Sequence, residues 1–194
     1  MLHLPWNAVL MIIDFQKAID HPSWGRRNNP QAEKNIAKLL TVWRTTQRPI
    51  LHIRHLSTEP NSTYRLGQKG CEFKEIVQPL PGEIIVDKRV TCAFIGTDIE
   101  QQLRSSGYDT LVITGVVTNN SVEATVRVAG NLGFKTYVVS DATATFDRVA
   151  LDGKLHQAED VHAHSLANMQ GEYATVIDTK KLLEWTTVGS MRMH

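Results

Sequence analysis

The sequence is poor in cysteine, with only Cys71 and Cys92 among its 194 residues. Two cysteines are too few for a small secreted fold that depends on a disulfide framework. An excess of one charge is also missing, because 21 Lys and Arg residues against 20 Asp and Glu residues leave a formal net charge of +1. Such a chain has no general attraction for a phosphate backbone or an anionic membrane. We therefore expect no nucleic-acid partner and no membrane partner.

Long hydrophobic runs are absent too. The N-terminal apolar run 8–13 is far shorter than the ~18 residues that span a bilayer, and it lacks the flanking features of a signal peptide. Twelve Gly and seven Pro are too few for a disordered or fibrous chain, and the hydrophobic fraction of 42% is ordinary for a globular protein. These absences predict a soluble, cytoplasmic protein, with a single domain over residues 1–194.

What the sequence does contain is an alternation of buried strands and helices. Continuous apolar runs, typical of strands covered on both faces, occur at 8–13, 50–53, 83–86, 110–114, 135–139 and 174–177. Segments with helical spacing separate them, the first opened by an N-cap at Asn29 and a proline at position 30. This order predicts a three-layer α/β/α fold with a mostly parallel sheet of about six strands and helices on both faces, a Rossmann-like layout.

Three polar residues are predicted to lie at the carboxyl ends of these strands, where open α/β sheets bind ligands. Asp14 ends the first strand, Lys88 follows the third, and Ser121 opens the helix after the fourth, from about 121 to 132. Each has an ordinary alternative: Asp14 as a local backbone cap, Lys88 as a solvated strand end and Ser121 as a helix N-cap. Together they predict a site on one rim of the sheet.

The segment 54–80 is long and irregular, and loops of this length are usually functional or disordered, so we take it as a candidate lid. His52 at the end of the second strand is predicted to be packed, whereas His55 is predicted to reach the pocket. We expect His156, His162 and His164 to be surface residues, because His162 and His164 would point in different directions on one helix. No Gly-x-Ser-x-Gly, Gly-x-Gly-x-x-Gly, Walker or His-Glu-x-x-His motif occurs.

Three segments carry a family resemblance. They are Leu10-Met-Ile-Ile-Asp-Phe-Gln16, Val86-Asp-Lys-Arg89 with Cys92-Ala-Phe94, and Ile113-Thr-Gly-Val-Val-Thr-Asn-Asn-Ser-Val-Glu-Ala-Thr125. In sequence, order and spacing they resemble the isochorismatase-like hydrolases, also called the cysteine hydrolase family. The third segment is the most specific, and the likeness extends over nearly the full chain.

The resemblance implies an Asp, Lys and Cys site in which the Asp is the general base, the Lys orients and stabilises the charged pair, and the Cys attacks an amide carbon. The Asp corresponds to Asp14 and the Lys to Lys88, while the Cys position is occupied by Ser121. The family also places a non-proline cis peptide at the Val116–Val117 bond. It implies an oxyanion hole formed by the backbone N–H groups of Val117 and Ser121.

Serine at position 121 leaves several interpretations open. Ser121 as an oxygen nucleophile would give an amidase or esterase that works through an acyl-enzyme. A non-covalent hydrolase would instead use Asp14 as general acid on a vinyl ether, as the isochorismatase branch does. A third alternative is a catalytically inactive ligand-binding module of the same fold, and an engineered Cys-to-Ser change is also compatible with the sequence. We favour hydrolysis of a C–N, amide-type bond at Asp14, Lys88 and Ser121.

The resemblance also bears on ligands and partners. The candidate substrate-binding residues are Trp24, His55, Phe94, Asn119, Asn120 and Phe146, although the three aromatic ones are more commonly core residues. The nicotinamidase branch carries an Asp/His metal cluster after the second strand, and residues 51–56 lack its Asp and its spacing. We therefore expect no catalytic metal and no cofactor. The expected partners are a small-molecule substrate and further copies of the chain in a homo-oligomer, a dimer or larger.

Overall fold

The fold was analysed in a computed structural model that describes residues 3–190, with side chains described up to 186. Its eight strands are β1 Val9–Ile13, β2 Ile50–His55, β3 Ile84–Lys88, β4 Thr110–Val116, β5 Lys135–Ala144, β6 Arg148–Val149, β7 Leu155–His156 and β8 Thr175–Ile177. Six of them form one sheet in the order β3-β2-β1-β4-β5-β8, and all neighbouring pairs in this sheet are parallel. β6 and β7 form a separate antiparallel hairpin. The predicted mostly parallel six-stranded sheet is confirmed.

In the part of the chain that the structure describes, five α-helices cover the two faces of the sheet. They are α1 Ala32–Thr45, α2 Ile99–Ser105, α3 Glu123–Asn131, α4 Ala158–Met169 and α5 Thr179–Ser190. Trp43 of α1 and Leu182 of α5 belong to one core cluster, on one side of the sheet. Leu103 of α2, Val126 of α3 and Met169 of α4 belong to a second cluster, on the other side. The three predicted layers are therefore present. None of the helices within residues 3–190 is long and apolar enough to cross a bilayer.

The predicted N-cap of the first helix is wrong, whereas the predicted helix after β4 is found. Helix α1 begins at Ala32 rather than after an N-cap at Asn29, whose φ of 45° lies in the left-handed region. The Asn29 side-chain amide donates instead to the carbonyls of Ser140 and Thr143, so it joins the start of α1 to β5. The helix expected from about residue 121 is present, since a π-helical turn, Thr118–Val122, carries Ser121 and runs directly into α3.

The strand order creates a crevice between the carboxyl ends of β1 and β4. The chain leaves β1 towards β2 on one side and leaves β4 towards β5 on the other, so the segments that follow these two paired strands diverge at this point. Ile13 pairs with Gly115, whose φ is 121° and where a Cβ would collide with the Ile13 backbone. Glycine thus lets β4 come close to β1 immediately before Asp14.

Candidate active site

A buried ion pair occupies this crevice. The Lys88 Nζ atom lies 2.7 Å from Asp14 Oδ2, and the two residues are 0% and 3% exposed. Lys88 Nζ also lies 3.4 Å from Ser121 Oγ and donates to the Val90 carbonyl at 3.1 Å. Asp14, Lys88 and Ser121 therefore meet around one ammonium group, although they are far apart in sequence.

Asp14 presents one carboxylate oxygen without a partner. Burial raises the pKa of the Asp14 carboxyl above its usual value, while the Lys88 ammonium and the Ser121 hydroxyl act in the opposite direction. Lys88 contacts Oδ2, and within the described part of the chain no group donates a hydrogen bond to the buried Oδ1. A buried polar atom of this kind is costly in a folded protein unless a ligand or reacting group uses it. Oδ1 is thus placed to take up or give a proton.

The backbone around Asp14 is held by neighbouring elements. Its φ of 53° is left-handed, a conformation that aspartate tolerates better than most residues. The Asp14 amide donates to the Ile53 carbonyl, and the Asp14 carbonyl accepts from the Gln16 amide and from the Tyr64 hydroxyl. The turn after β1 is therefore fixed from β2 and from the loop that contains Tyr64.

Ser121 lies on the π-helical turn, which helix α4 holds in place. His162 Nδ1 lies 2.9 Å from the Thr118 hydroxyl oxygen, and Ser165 donates to the Glu123 carboxylate at 2.6 Å. The prediction that His162 is a surface residue is wrong, since it is only 8% exposed and its Nε2 atom also lies 3.0 Å from the Ser140 carbonyl oxygen. Burial lowers the pKa of His162, which favours the neutral imidazole.

The peptide bond between Val116 and Val117 is cis, at the place that the family resemblance implies. It joins the end of β4 to the turn that carries Ser121. The Val117 carbonyl accepts hydrogen bonds from the Asn120 and Val122 amides. The backbone from Val116 to Val122 is thus one ordered unit beside Lys88.

His55, at the end of β2, is the fourth side chain at the site, beside Asp14, Lys88 and Ser121. Its Nδ1 atom lies 3.3 Å from Lys88 Nζ, so the ammonium donates to Nδ1 and the ring proton resides on Nε2. Burial and the nearby Lys88 charge lower the pKa of His55 to about 4. A neutral imidazole with its proton on Nε2 can donate a hydrogen bond to a substrate acceptor.

We expect His55 to stay neutral down to about pH 4, with a titration midpoint near that value in an NMR pH series. Its resonance is assigned by its loss in His55→Gln. Because the unfolded-state pKa is 6.5, the unfolded chain binds more protons between pH 4 and 6.5, and the free energy of unfolding falls as pH drops through this interval. His55→Gln should weaken that dependence. A midpoint at or above 6.5 would contradict the lysine contact.

The candidate lid, segment 54–80, lies against Asp14, but its first two residues belong to β2, so the irregular part begins at residue 56. Two 3₁₀ turns occur within it, Lys69–Cys71 and Glu75–Val77. Gln16 links this segment to the turn after β1. Its side-chain amide donates to the carbonyls of His55 and Cys71, and its side-chain oxygen accepts from the His55 amide. Gln16 and Tyr64 are site-building residues that the sequence analysis missed. Gln16 lies in the quoted motif around Asp14, whereas nothing in the sequence pattern singles out Tyr64.

Of the candidate substrate-binding residues, His55 contacts Lys88, whereas the aromatic ones are packing residues. Phe146 belongs to the core cluster of α1 and α5, and Trp24 packs against it with 5.0 Å between ring centroids, at the wall of a cavity of about 370 Å³. Phe94 packs instead against Phe134 in the core cluster of α2, α3 and α4. The Asn119 side-chain oxygen accepts from the Thr145 hydroxyl at 2.5 Å, so this amide shapes the turn. Asn120 is exposed.

His52 is fully buried, as predicted, and its Nε2 atom lies 2.8 Å from Glu83. Although burial acts in the other direction, Arg44, the Leu80 amide and His52 hold the pKa of Glu83 at about 2. This pair joins β2 to the residue that precedes β3. Across the described residues, no group of three or more His, Cys, Asp or Glu side chains is arranged to hold a metal ion.

Comparison with known proteins connects this geometry to a family. The family model for the isochorismatase domain matches residues 8–181, which is most of the chain. The chain belongs to the isochorismatase family. It is 42% identical over 177 residues to the uncharacterized isochorismatase family protein YrdC of Bacillus subtilis (strain 168), covering 91% of this chain and 95% of that protein.

A solved structure agrees with this family assignment, and a further relative is similar over most of its length. The crystal structure of a hydrolase of the isochorismatase family from Chromobacterium violaceum ATCC 12472 matches with a TM-score of 0.92 and 49% identity, over 95% of this chain and 96% of that one. Nicotinamidase 3 of Arabidopsis thaliana is 27% identical over 188 residues, covering 90% of this chain and 86% of that protein. The chain is therefore a hydrolase of the isochorismatase family, as its sequence motifs predicted.

Proposed function

We propose that this isochorismatase-family hydrolase cleaves an amide-type C–N bond of a small molecule, with Asp14, Lys88 and Ser121 as the reacting groups. The observation that carries the proposal is the buried pair of Asp14 and Lys88, with one open carboxylate oxygen and with Ser121 Oγ 3.4 Å from the same ammonium. Nicotinamidase 3, a relative at 27% identity, bears the name of an amide-hydrolysing enzyme. The site geometry and the name of this relative together support hydrolysis of an amide-type C–N bond.

In this reaction the Ser121 hydroxyl attacks the substrate carbonyl carbon while its proton passes to Asp14 Oδ1. The carbonyl oxygen becomes an oxyanion, which the N–H groups of Val117 and Ser121 would stabilise. Asp14 then gives the proton to the leaving nitrogen, the C–N bond breaks, and ammonia or an amine departs. Asp14 then deprotonates a water molecule, which attacks the carbonyl carbon of the Ser121 ester. The bond between this carbon and Ser121 Oγ breaks, Asp14 returns the proton to Oγ, and the carboxylic acid product departs. Protons and charges balance over the two half-reactions.

Burial makes the Asp14 carboxylate a stronger base for this reaction. An ordinary carboxylate is a weak base towards a hydroxyl, and the proximity of Lys88 alone would weaken it further. Desolvation outweighs that effect and raises the pKa of Asp14. A carboxyl with a raised pKa takes up a proton more readily during attack. Lys88 keeps the carboxylate oriented through Oδ2 and leaves Oδ1 to react.

The raised pKa of Asp14 also favours a second candidate function. A carboxyl that protonates readily can act as general acid on a vinyl ether, which would make hydrolysis non-covalent and independent of Ser121. The two functions share Asp14 and Lys88. They differ in whether the Ser121 oxygen forms a bond to the substrate.

A panel of small amides, esters and vinyl ethers distinguishes them, assayed with the native chain, with Ser121→Ala and with Ser105→Ala as a control. Ser105 is an exposed serine of α2. The amidase proposal expects Ser121→Ala to lower amide turnover by about 10³-fold or more, with Ser105→Ala unchanged. Unchanged turnover in Ser121→Ala would overturn covalent catalysis and favour the general-acid function.

A further inference from the structure

Helix α4 presents two side chains to the two ends of the π-helical turn that carries Ser121. His162 Nδ1 lies 2.9 Å from the hydroxyl oxygen of Thr118, the first residue of the turn. Ser165, three positions further along α4 and therefore on the same face, donates to the carboxylate of Glu123, the first residue of α3. Ser121 lies between these contacts, three residues after Thr118 and two before Glu123. The backbone of Ser121 is thus fixed from α4 on both sides.

The hydrogen bonds of His162 determine which ring nitrogen carries the proton. Its Nε2 atom lies 3.0 Å from the carbonyl oxygen of Ser140 on β5, and a carbonyl oxygen can only accept. The proton of the neutral imidazole therefore resides on Nε2, which leaves Nδ1 as an acceptor. The Thr118 hydroxyl then donates to Nδ1. The imidazole thus connects β5 to the first residue of the turn through two hydrogen bonds of defined direction.

Helix α4 is itself held at both ends. The Asp147 carboxylate accepts from the backbone amide of Ala158, the first residue of α4, at 2.8 Å. Arg26 donates to the carboxylates of Asp147 and of Glu159, which lies in the first turn of α4. At the other end, Met169 is fully buried in the core cluster of α2, α3 and α4. A helix fixed in this way can hold a neighbouring segment in one position.

We propose that the hydrogen bond between Thr118 and His162 positions the Ser121 nucleophile, which makes His162 a positioning residue of the active site. Ser121 Oγ lies 3.4 Å from Lys88 Nζ, at the upper limit for a hydrogen bond, so a small displacement of the turn separates the two groups. A displacement of about 1 Å of a reacting group can lower a rate about 100-fold. The kinetic role of His162 rests on the proposed function, whereas its contact with the turn does not.

Thr118→Val removes the hydroxyl and keeps the branched shape of the side chain. We expect it to lower kcat for amide hydrolysis about 10- to 100-fold with little change in KM, because the contact acts on the nucleophile and not on substrate binding. Thr118→Ser keeps the donor and should retain near-native kcat. Thr136→Val is the matched control, since Thr136 is buried on β5 and its hydroxyl donates to the Phe134 carbonyl at 3.1 Å. Equal losses of kcat in Thr118→Val and Thr136→Val would overturn the positioning role.

His162→Asn and His162→Gln test the same hydrogen bond from the side of α4. The shorter Asn side chain places its amide oxygen near the position of Nδ1, where it can accept from Thr118. The longer Gln side chain reaches the position of Nε2, where it can donate to Ser140. Measured below the melting transition of both variants, kcat should be higher in His162→Asn than in His162→Gln. A Gln variant as active as the Asn variant would overturn the role of Nδ1.

Amide hydrogen exchange separates the contact from the proposed function. The Asn120 and Val122 amides donate to the Val117 carbonyl, so their exchange reports whether the turn is closed. We expect both amides to exchange about tenfold faster in Thr118→Val, and at the native rate in Thr136→Val. Faster exchange in Thr118→Val, without any Ser121-dependent amide hydrolysis in the native chain, would support the contact and overturn the amidase function. Unchanged exchange and unchanged kcat in Thr118→Val would overturn the positioning role and leave the amidase function standing.

Discussion

Asp14→Asn is expected to lower kcat for amide hydrolysis by about 10³-fold or more, because the variant keeps the shape of the side chain and removes the proton acceptor at Oδ1. The introduced side-chain amide cannot take the proton of an attacking hydroxyl or return it to a leaving amine. Ammonia release under saturating substrate measures kcat directly. The assay temperature must stay below the melting transition of the variant, since Lys88 loses its counter-charge.

Asp87→Asn is the matched control for this prediction. Asp87 precedes Lys88 on β3, but its carboxylate is half-exposed and pairs with Arg54 at 2.7 Å. Exposed ion pairs contribute little to stability, and this one does not contact Asp14 or Ser121. We expect Asp87→Asn to retain near-native kcat. Similar losses in the two variants would mean that kcat reports general damage to the sheet rather than chemistry at Asp14.

Lys88→Met is expected to lower the free energy of unfolding by about 3–5 kcal/mol, because it leaves the Asp14 carboxylate buried without its partner. Lys88 is fully buried, so water cannot replace the ammonium. Urea denaturation, with the slope of the transition checked for two-state behaviour, gives the free energy. Lys17→Met is the control, since the partners of Lys17 are the exposed carboxylates of Glu72 and Glu75.

The double variant Asp14→Asn with Lys88→Met completes this experiment. Replacing both members of a buried ion pair removes both charges, so much of the lost stability should return while catalysis stays absent. A Lys88→Met variant no less stable than Lys17→Met would contradict the buried pair. Full additivity of the two single changes would contradict their direct contact.

Much of the framework was predictable because it depends on local patterns. Continuous apolar runs identified the six strands, and parallel strands put their carboxyl ends on one edge, which brought Asp14, Lys88 and Ser121 together. The motif resemblance supplied the place of the cis peptide at Val116–Val117. These features depend on strand order and on residue identity within short segments.

The remaining features depend on contacts between distant segments. His162 is buried because the turn at Thr118 packs against α4, a relation that the helical pattern of α4 does not contain. Asn29 fits an N-cap by residue type, but the carbonyls of β5 compete for its amide. Tyr64 lies in a loop without periodicity, so its bond to Asp14 could be found only from the tertiary structure.

In the proposed reaction, Ser121 forms a covalent bond to the substrate, and Asp14 is the general base for the Ser121 hydroxyl. The most direct test of this mechanism is mass spectrometry of the protein acid-quenched during turnover of an amide or ester, followed by peptide mapping. We expect an added mass equal to the acyl group on the peptide that contains Ser121, and no adduct in Ser121→Ala. Continued turnover by Ser121→Ala, with no acyl adduct in the native chain, would contradict it.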